Sequence, residues 1–249
     1  MSDTEHKPVT AGFVVIGDEI LSGRTKDKNI GYLASFLTER GIDLSEVRIV
    51  PDSQGMIVEA VNTLRSRYTY VFTSGGIGPT HDDITADAIA AAFGVSIDKD
   101  PRAMAILEAH YPPGEFTPAR QRMARIPEGA DLIENVASAA PGFRIENVHV
   151  MAGVPYIMQA MLDALAPTLK GGQHMHSHAI DVPLPESRIA EKLAEVQKNF
   201  PETSIGSYPR SKDGVFSTQV VVRSRHLDVL RDATSAVETL VASATGKSI

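Results

Sequence analysis

The sequence predicts an α/β protein with three layers, a mainly parallel sheet with helices on both faces, followed by a small α+β domain. Two observations support this. Short apolar runs rich in β-branched residues alternate with helical patterns through the first two thirds of the chain, which is typical of crossover units. After a hinge-like Lys-Gly-Gly at 170–172, the order of elements changes. We therefore predict a flexible tail over residues 1–9, a first domain over 10–171 and a second over 172–249.

In the first domain, buried strands are predicted where short apolar runs occur, and helices where apolar residues recur three and four positions apart. The predicted strands are residues 12–16, 44–50 and 70–73, with a hairpin at 142–145 and 148–151. The predicted helices are residues 27–40, 57–64, 89–93, 102–110 and 155–169. Residues 111–118 contain three prolines and predict a loop, because proline lacks the N–H donor that a helix needs.

The second domain has the predicted order strand, helix, strand, strand, helix, which indicates an α+β arrangement. Its elements are expected at residues 176–182, 189–196, 204–207, 215–223 and 227–240.

Composition excludes several classes of function. The 249 residues carry a net charge of −7 and no cysteine. Binding to nucleic acid or to an anionic membrane is not expected, because both require many Lys and Arg residues. Disulfides, thiolate zinc sites and cysteine nucleophiles are excluded. No apolar segment approaches a membrane span or a signal sequence, so the expected location is the cytoplasm.

The segment SGGIGPT at 74–80 follows a predicted strand and precedes a helix, which is where open α/β sheets bind ligands. Its glycines allow successive N–H groups to converge on an anion, and its hydroxyls add donors. The predicted phosphate-binding residues are Ser74, Gly75, Gly76, Gly78 and Thr80. The segment is neither a Walker loop nor a dinucleotide fingerprint. The same glycines could instead form only a tight turn.

Asp82 and Asp83 come directly after this loop. Two carboxylates there would repel a phosphate unless a hard cation lay between them, so a divalent metal such as Mg²⁺ or Mn²⁺ is expected at this pair. In the alternative interpretation, Asp83 or Thr85 caps the next helix.

Five segments, taken in order, resemble the MoaB/Mog-type molybdopterin-binding domain, and most closely its CinA-like branch. They are VIGDEILSGRTKDKN (15–29), TSGGIGPTHDDIT (73–85), PEGADLIEN (127–135), APGF (140–143) and GVP (153–155). SIGSYPR at 204–210 resembles the small domain that follows in CinA proteins. The amidase domain that often follows next is not expected, since the chain stops at Ile249.

The resemblance implies roles for individual residues. Asp83 and Asp52 match aspartates needed by molybdopterin-processing relatives and are our expected catalytic residues. Glu19, with Gly17 beside it, is expected at the pocket. Lys28 and Asn29 begin the first helix, whose N-terminus favours an anion. Because the ends of neighbouring parallel strands meet at one edge of a sheet, these residues can converge.

Other polar side chains have less specific signals. His81 could act as a base, but we rank it below the aspartates. His174, His176 and His178 share one face of a predicted strand, and an exposed face explains them better than a metal site. Arg120, Arg122 and Arg125 could contact a second phosphate or form an exposed amphipathic turn.

Two activities fit this pattern. The first is metal-dependent hydrolysis of a nucleotide pyrophosphate such as ADP-ribose, with Mg²⁺, Mn²⁺ or Co²⁺ as the cofactor. The second is binding or adenylylation of a pterin in molybdenum cofactor metabolism. A non-catalytic module whose small domain binds RNA is a weaker alternative, because such modules need a GxxG loop or aromatic residues, and the small domain lacks the first and has few of the second. The expected partners are a nucleotide or pterin and, by resemblance, further copies of the chain in a dimer or trimer.

Overall fold

A computed structural model describes residues 8–212 and 214–246. The chain forms two compact units that divide between Gly172 and Gln173. Most of the tail predicted over residues 1–9 lies outside the described residues, and Val9 already belongs to the first strand.

The first unit is built on a six-stranded sheet. Its strands are β1 (Val9–Ile16), β2 (Ile42–Val50), β3 (Tyr70–Ser74), β6 (Asp131–Ile133), β7 (Gly142–Ile145) and β8 (Val148–Met151), and β4 (Ile97–Lys99) and β5 (Arg125–Pro127) form a separate pair. The sheet order is β2-β1-β3-β8-β7-β6. The first four strands in this order are parallel to one another. Strand β7 pairs antiparallel with β8, and β6 pairs antiparallel with β7. The prediction of a mainly parallel sheet is confirmed.

Helices cover both faces of this sheet. They are α1 (Asp18–Leu21), α2 (Asn29–Thr38), α3 (Gln54–Arg67), α4 (Thr85–Phe93), α5 (Pro101–His110), α6 (Pro118–Gln121) and α7 (Pro155–Leu165). Strand β1 is buried on both sides: Val14 packs into the core under α3 and α4, and Phe13 into the core under α2 and α7. A strand with two buried faces has a continuous apolar sequence, which is why β1 could be recognised.

The structure also contains elements that the sequence did not predict. The turn α1 and the three-residue strands β4 and β5 are too short to give a periodic signal. Helix α2 begins at Asn29 rather than at 27, and the Asp27 carboxylate just before it accepts the N–H of Ile30 at 2.8 Å. Helix α7 ends at Leu165, followed by a 3₁₀ turn over Ala166–Thr168.

The second unit is an antiparallel sheet of β9 (His176–Val182), β10 (Thr203–Lys212) and β11 (Val215–Ser224), in the order β10-β11-β9. Helices α8 (Ala190–Asn199) and α9 (Leu227–Thr245) pack on this sheet through a core that includes Val220, Val222 and Val237. The α+β prediction for this part is confirmed. Within the described chain, no helix is long and apolar enough to cross a membrane.

Candidate functional site

The glycine loop leaves the sheet at its centre. Strand β3 pairs with β1 on one side and with β8 on the other. The carboxyl ends of all three parallel strands therefore meet at one edge, where Gly17 follows β1 and Gly153 follows shortly after β8. Crevices at this edge are the usual binding places of open α/β sheets.

Close packing requires glycine at the first two positions of the loop. Gly75 and Gly76 have φ angles of 108° and 66°, a region that L residues rarely adopt. A Cβ on Gly75 would lie 2.1 Å from the Ile16 carbonyl oxygen, and one on Gly76 would lie 2.2 Å from the Thr85 hydroxyl. That hydroxyl donates to the Gly75 carbonyl at 2.9 Å, which fixes the loop on α4.

The far side of the loop is closed by Asp83. Its Oδ2 accepts hydrogen bonds from the Thr80 amide at 2.8 Å and from the Thr80 hydroxyl at 2.5 Å. A Cβ on Gly78 would stand 2.6 Å from the same oxygen. Asp83 therefore shapes the loop itself. The alternative interpretation, in which Asp83 or Thr85 caps α4, is wrong, because Ile84 is at the N-cap and no side chain caps the helix.

Asn29 lies beneath the loop. Its side chain is buried, and its amide donates to Ser74 Oγ at 3.3 Å and to the Gly153 carbonyl at 2.8 Å. Ser74 is also buried. These two predicted ligand residues thus join the ends of β3 and β8 to α2, and they hold the edge of the sheet in shape.

A cleft of about 500 Å³ opens above the loop. Predicted site residues Glu19, Gly75, Gly76, Gly78 and Asp83 line it. Its remaining described walls are Thr25, Ile77, Pro79, Met123, Asn135, Ser138, Ala140, Ala152, Gly153, Val154, Pro155 and Ile157. Backbone donors, two carboxylates and an apolar wall in one concave space are typical of a small-molecule site.

Acidic side chains converge beside this cleft. Asp52 accepts the N–H of Asp18 at 3.0 Å. Partial burial raises the pKa of the Asp52 carboxyl, the negative charges of Asp18, Glu19 and Asp82 raise it further, and the Asp18 N–H opposes them. The hydrogen bond between Asp18 and Asp52 brings the ends of β1 and β2 together, and the charge of Asp82, next to the glycine loop, acts on the same carboxyl. Asp52 itself lies outside the set of described residues that line the cleft.

Several other predicted candidates lie elsewhere. Lys28 is exposed, and among described residues it is not part of the cleft wall. The His81 side chain is 98% exposed, so it has no fixed environment that would tune it as a base. His176 and His178 lie on β9 and His174 just before it, in the second unit.

Sequence reasoning assigned no role to some residues of the cleft wall. Thr25 and Asn135 belong to the quoted segments, and Met123 follows the proline-containing loop. The Asn135 amide donates to Ser138 Oγ and to the Ala140 carbonyl, and its oxygen accepts the N–H groups of Ala137 and Ser138. It thereby builds the loop that forms one side of the cleft. The only signal was membership of a motif.

The carboxylates fit a metal held jointly with a ligand. In the described part of the chain, no three His, Asp or Glu side chains group into a protein-only metal site. Mg²⁺, however, usually binds one or two carboxylates together with phosphate and water oxygens. Asp82 is 68% exposed, and Asp83 uses only Oδ2 toward Thr80. Of the two, Asp83 lines the cleft among the described residues, and Asp82 is its exposed neighbour in the sequence.

Comparison with known proteins identifies both units. Residues 12–171 match the family described as probable molybdopterin binding domain, and residues 174–246 match the FAD synthase middle domain. A protein from Archaeoglobus fulgidus is 33% identical over 79% of this chain and 84% of its own length. A probable FAD synthase from Caenorhabditis briggsae is 30% identical over 93% of this chain, which spans only 49% of that relative.

Among solved structures, CinA of unknown function from Thermoplasma acidophilum has 33% identity and a TM-score of 0.61. The match covers 64% of this chain and 96% of the other. The predicted resemblance to the MoaB/Mog and CinA-like proteins is confirmed. The chain belongs to the probable molybdopterin binding domain family, whose name implies a small-molecule ligand.

Proposed function

We propose that the first unit hydrolyses a nucleotide pyrophosphate such as ADP-ribose or FAD in the cleft above residues 75–79, with a divalent cation as cofactor. One observation carries the proposal: the backbone of the glycine loop and the carboxylates of Glu19 and Asp83 line the same cavity. A backbone cradle suits one phosphoryl group, and the apolar wall opposite suits a planar ring.

The residues of the chain would divide the work. The loop orients the phosphoryl group, Glu19 lies where a ribose hydroxyl could donate to it, and Asp82 with Asp83 would hold Mg²⁺, Mn²⁺ or Co²⁺. The cation would neutralise phosphate charge and activate water. Water adds to one phosphorus, the bridging P–O bond breaks, and two phosphate monoesters leave.

The carboxylate repulsion around Asp52 supports the need for a cation. Burial is the largest cause of the raised pKa of Asp52, and the negative charges of Asp18, Glu19 and Asp82 raise this pKa further. An anionic substrate would add to this repulsion, whereas a divalent cation would relieve it. Asp52 would then act from behind the cleft by holding the turn that starts at Asp18.

The test is hydrolysis of ADP-ribose and FAD by the purified full chain with Mg²⁺, Mn²⁺ and Co²⁺ in turn. We expect turnover with at least one ion, and reduction to the metal-free rate in Asp83→Asn. Asparagine keeps an oxygen to accept the Thr80 donors, so the loop should survive. Asp163→Asn, an exposed site on α7, is the matched control. Absence of turnover with every ion, or full activity in Asp83→Asn, would overturn the proposal.

Pterin binding is the second candidate, because the family that matches the first unit is described as probable molybdopterin binding domain. One relative that matches most of the chain favours the dinucleotide instead, since it is described as a probable FAD synthase. Calorimetric titration with ADP-ribose, ATP and molybdopterin separates the candidates, as the physiological class should bind most tightly.

A further inference from the structure

Arg122 lies beside the glycine loop, in the wall of a second and smaller cavity. It begins the 3₁₀ turn Arg122–Ala124 that follows α6. Together with Gly76, Gly78 and Asp83, it lines a narrow cavity of about 20 Å³, continuous in its lining with the main cleft. The volume is close to that of one water-sized sphere.

The guanidinium of Arg122 has no partner within the described chain. Its Nε is buried and makes no hydrogen bond, and Arg122 forms no ion pair with any described residue. Arginine stays protonated at all ordinary pH values. Arg122 as a whole is half-buried, but its buried Nε–H has lost water without gaining an acceptor, which is costly for a polar donor. This cost calls for an explanation.

The neighbouring arginines lack this property. Arg125 forms two hydrogen bonds with Asp87, of 2.7 and 2.5 Å. Arg120 pairs with Glu115 at 3.1 Å and lies over the Tyr111 ring. Asp87, the second acid of the narrow cavity, is therefore already paired.

Asp83 is the other acid of that cavity, and its Oδ2 accepts hydrogen bonds from the amide and the hydroxyl of Thr80. Arg122 is thus left as a cation beside an anion-type loop.

We propose that Arg122 binds a phosphoryl group of the ligand seated on Gly76–Gly78. The proposal rests on the proposed function in that the ligand must carry phosphate. The loop supplies N–H donors from the backbone, and the guanidinium supplies a planar fork that matches phosphate oxygens. With two such anchors, the site selects a diphosphate over a neutral nucleoside.

The experiment uses the full chain and three variants. Arg122→Met keeps the apolar stem and removes the charge, Arg122→Lys keeps the charge without the fork, and Arg120→Met is the control at a neighbouring paired arginine. Calorimetry measures the binding of ADP-ribose and of inorganic pyrophosphate, with and without Mg²⁺. Thermal unfolding without ligand measures stability.

We expect Arg122→Met to bind both ligands about 10- to 100-fold more weakly than the wild type. The affinity of Arg122→Lys should lie between these two, and Arg120→Met should bind as the wild type does. The ligand-free Arg122→Met should unfold at the same or a higher temperature, because a buried donor without an acceptor has been removed. A structural role predicts the opposite, a lower unfolding temperature.

Three results would overturn the proposal: unchanged binding in Arg122→Met, a lower unfolding temperature in that variant, or a wild type that binds neither probe. A wild type that binds ADP-ribose without hydrolysing it would refute the proposed activity. In that case the assignment of Arg122 would still be decided by the variants.

Discussion

The side-chain amide of Asn29 donates a 2.8 Å hydrogen bond to the Gly153 carbonyl, which ties the start of α2 to the segment after β8. The same amide reaches Ser74 at the end of β3. One buried side chain thus holds two strand ends of the cleft in register. An amide suits this place because its two N–H donors serve two acceptors at once.

Asn29→Ala should therefore destabilise the protein by about 1–3 kcal/mol, since the buried Ser74 hydroxyl and the Gly153 carbonyl lose their donor. The measurement is urea-induced unfolding. Asn62→Ala on α3 is the control, because Asn62 accepts a single bond from Arg65 in a partly exposed position. Equal losses in the two variants would contradict the role assigned to Asn29.

Gly76→Ala separates backbone strain from steric conflict. Gly76 and Gly114 both have positive φ angles, of 66° and 84°, but a Cβ on Gly114 meets nothing within 4 Å. Gly114→Ala should cost about 1 kcal/mol from conformation alone. Gly76→Ala should cost clearly more, because its Cβ meets the Thr85 hydroxyl.

A double-mutant cycle tests the cause. In the Gly76→Ala background, Thr85→Ala removes the conflicting hydroxyl. The loss of unfolding free energy in the double variant should therefore be smaller than the sum of the losses in the two single variants. Strictly additive losses would show that Thr85 is not the source of the conflict.

The sequence predicted the central features of the fold because these depend on local patterns. Buried strands such as β1 have continuous apolar runs. Prediction failed for β4 and β5, whose three residues cannot show a period. Their pairing is set by tertiary contacts alone.

For the site, residue type and motif were enough to select the loop but not to assign roles within it. Asn29 and Ser74 have donors that would suit a phosphate site, yet the Asn29 amide donates to the Ser74 hydroxyl and to the Gly153 carbonyl instead. Arg122 was indistinguishable in sequence from its neighbours Arg120 and Arg125. The structure distinguishes it, because Arg120 is paired with Glu115 and Arg125 with Asp87, whereas Arg122 has no acidic partner among the described residues.

His149 makes stability depend on pH. It is buried on β8, stacked on Phe72, and burial lowers its pKa to about 4. In the unfolded chain, a histidine has a pKa of about 6.5. The stability that the buried neutral ring contributes is therefore fully present above that pH. It is lost as pH falls toward 4, by up to about 3 kcal/mol.

Unfolding free energies measured from pH 7 to 4 should show this loss in the wild type and a smaller one in His149→Phe, which keeps a ring beside Phe72. His81→Gln, at a side chain that is 98% exposed, should follow the wild type. The same pH dependence in His149→Phe would mean that other groups cause the loss.

Asp52→Asn should make the protein more stable at pH 7 while leaving the turn at Asp18 intact. The raised pKa of Asp52 means that the folded state favours the protonated carboxyl. Its contribution is therefore full below the unfolded pKa and is lost as pH rises through the folded one. Asparagine mimics the protonated form and can still accept the Asp18 N–H, so its advantage should appear at neutral pH and vanish toward pH 3.

Thermal unfolding at pH 3 to 7 measures the effect, with Asp163→Asn as the control. Added Mn²⁺ should stabilise the wild type more than Asp52→Asn, because the variant has less carboxylate repulsion for a cation to relieve. A lower stability of Asp52→Asn at pH 7 would show that the carboxylate is held by attraction, and the case for a cation beside it would lose its electrostatic support.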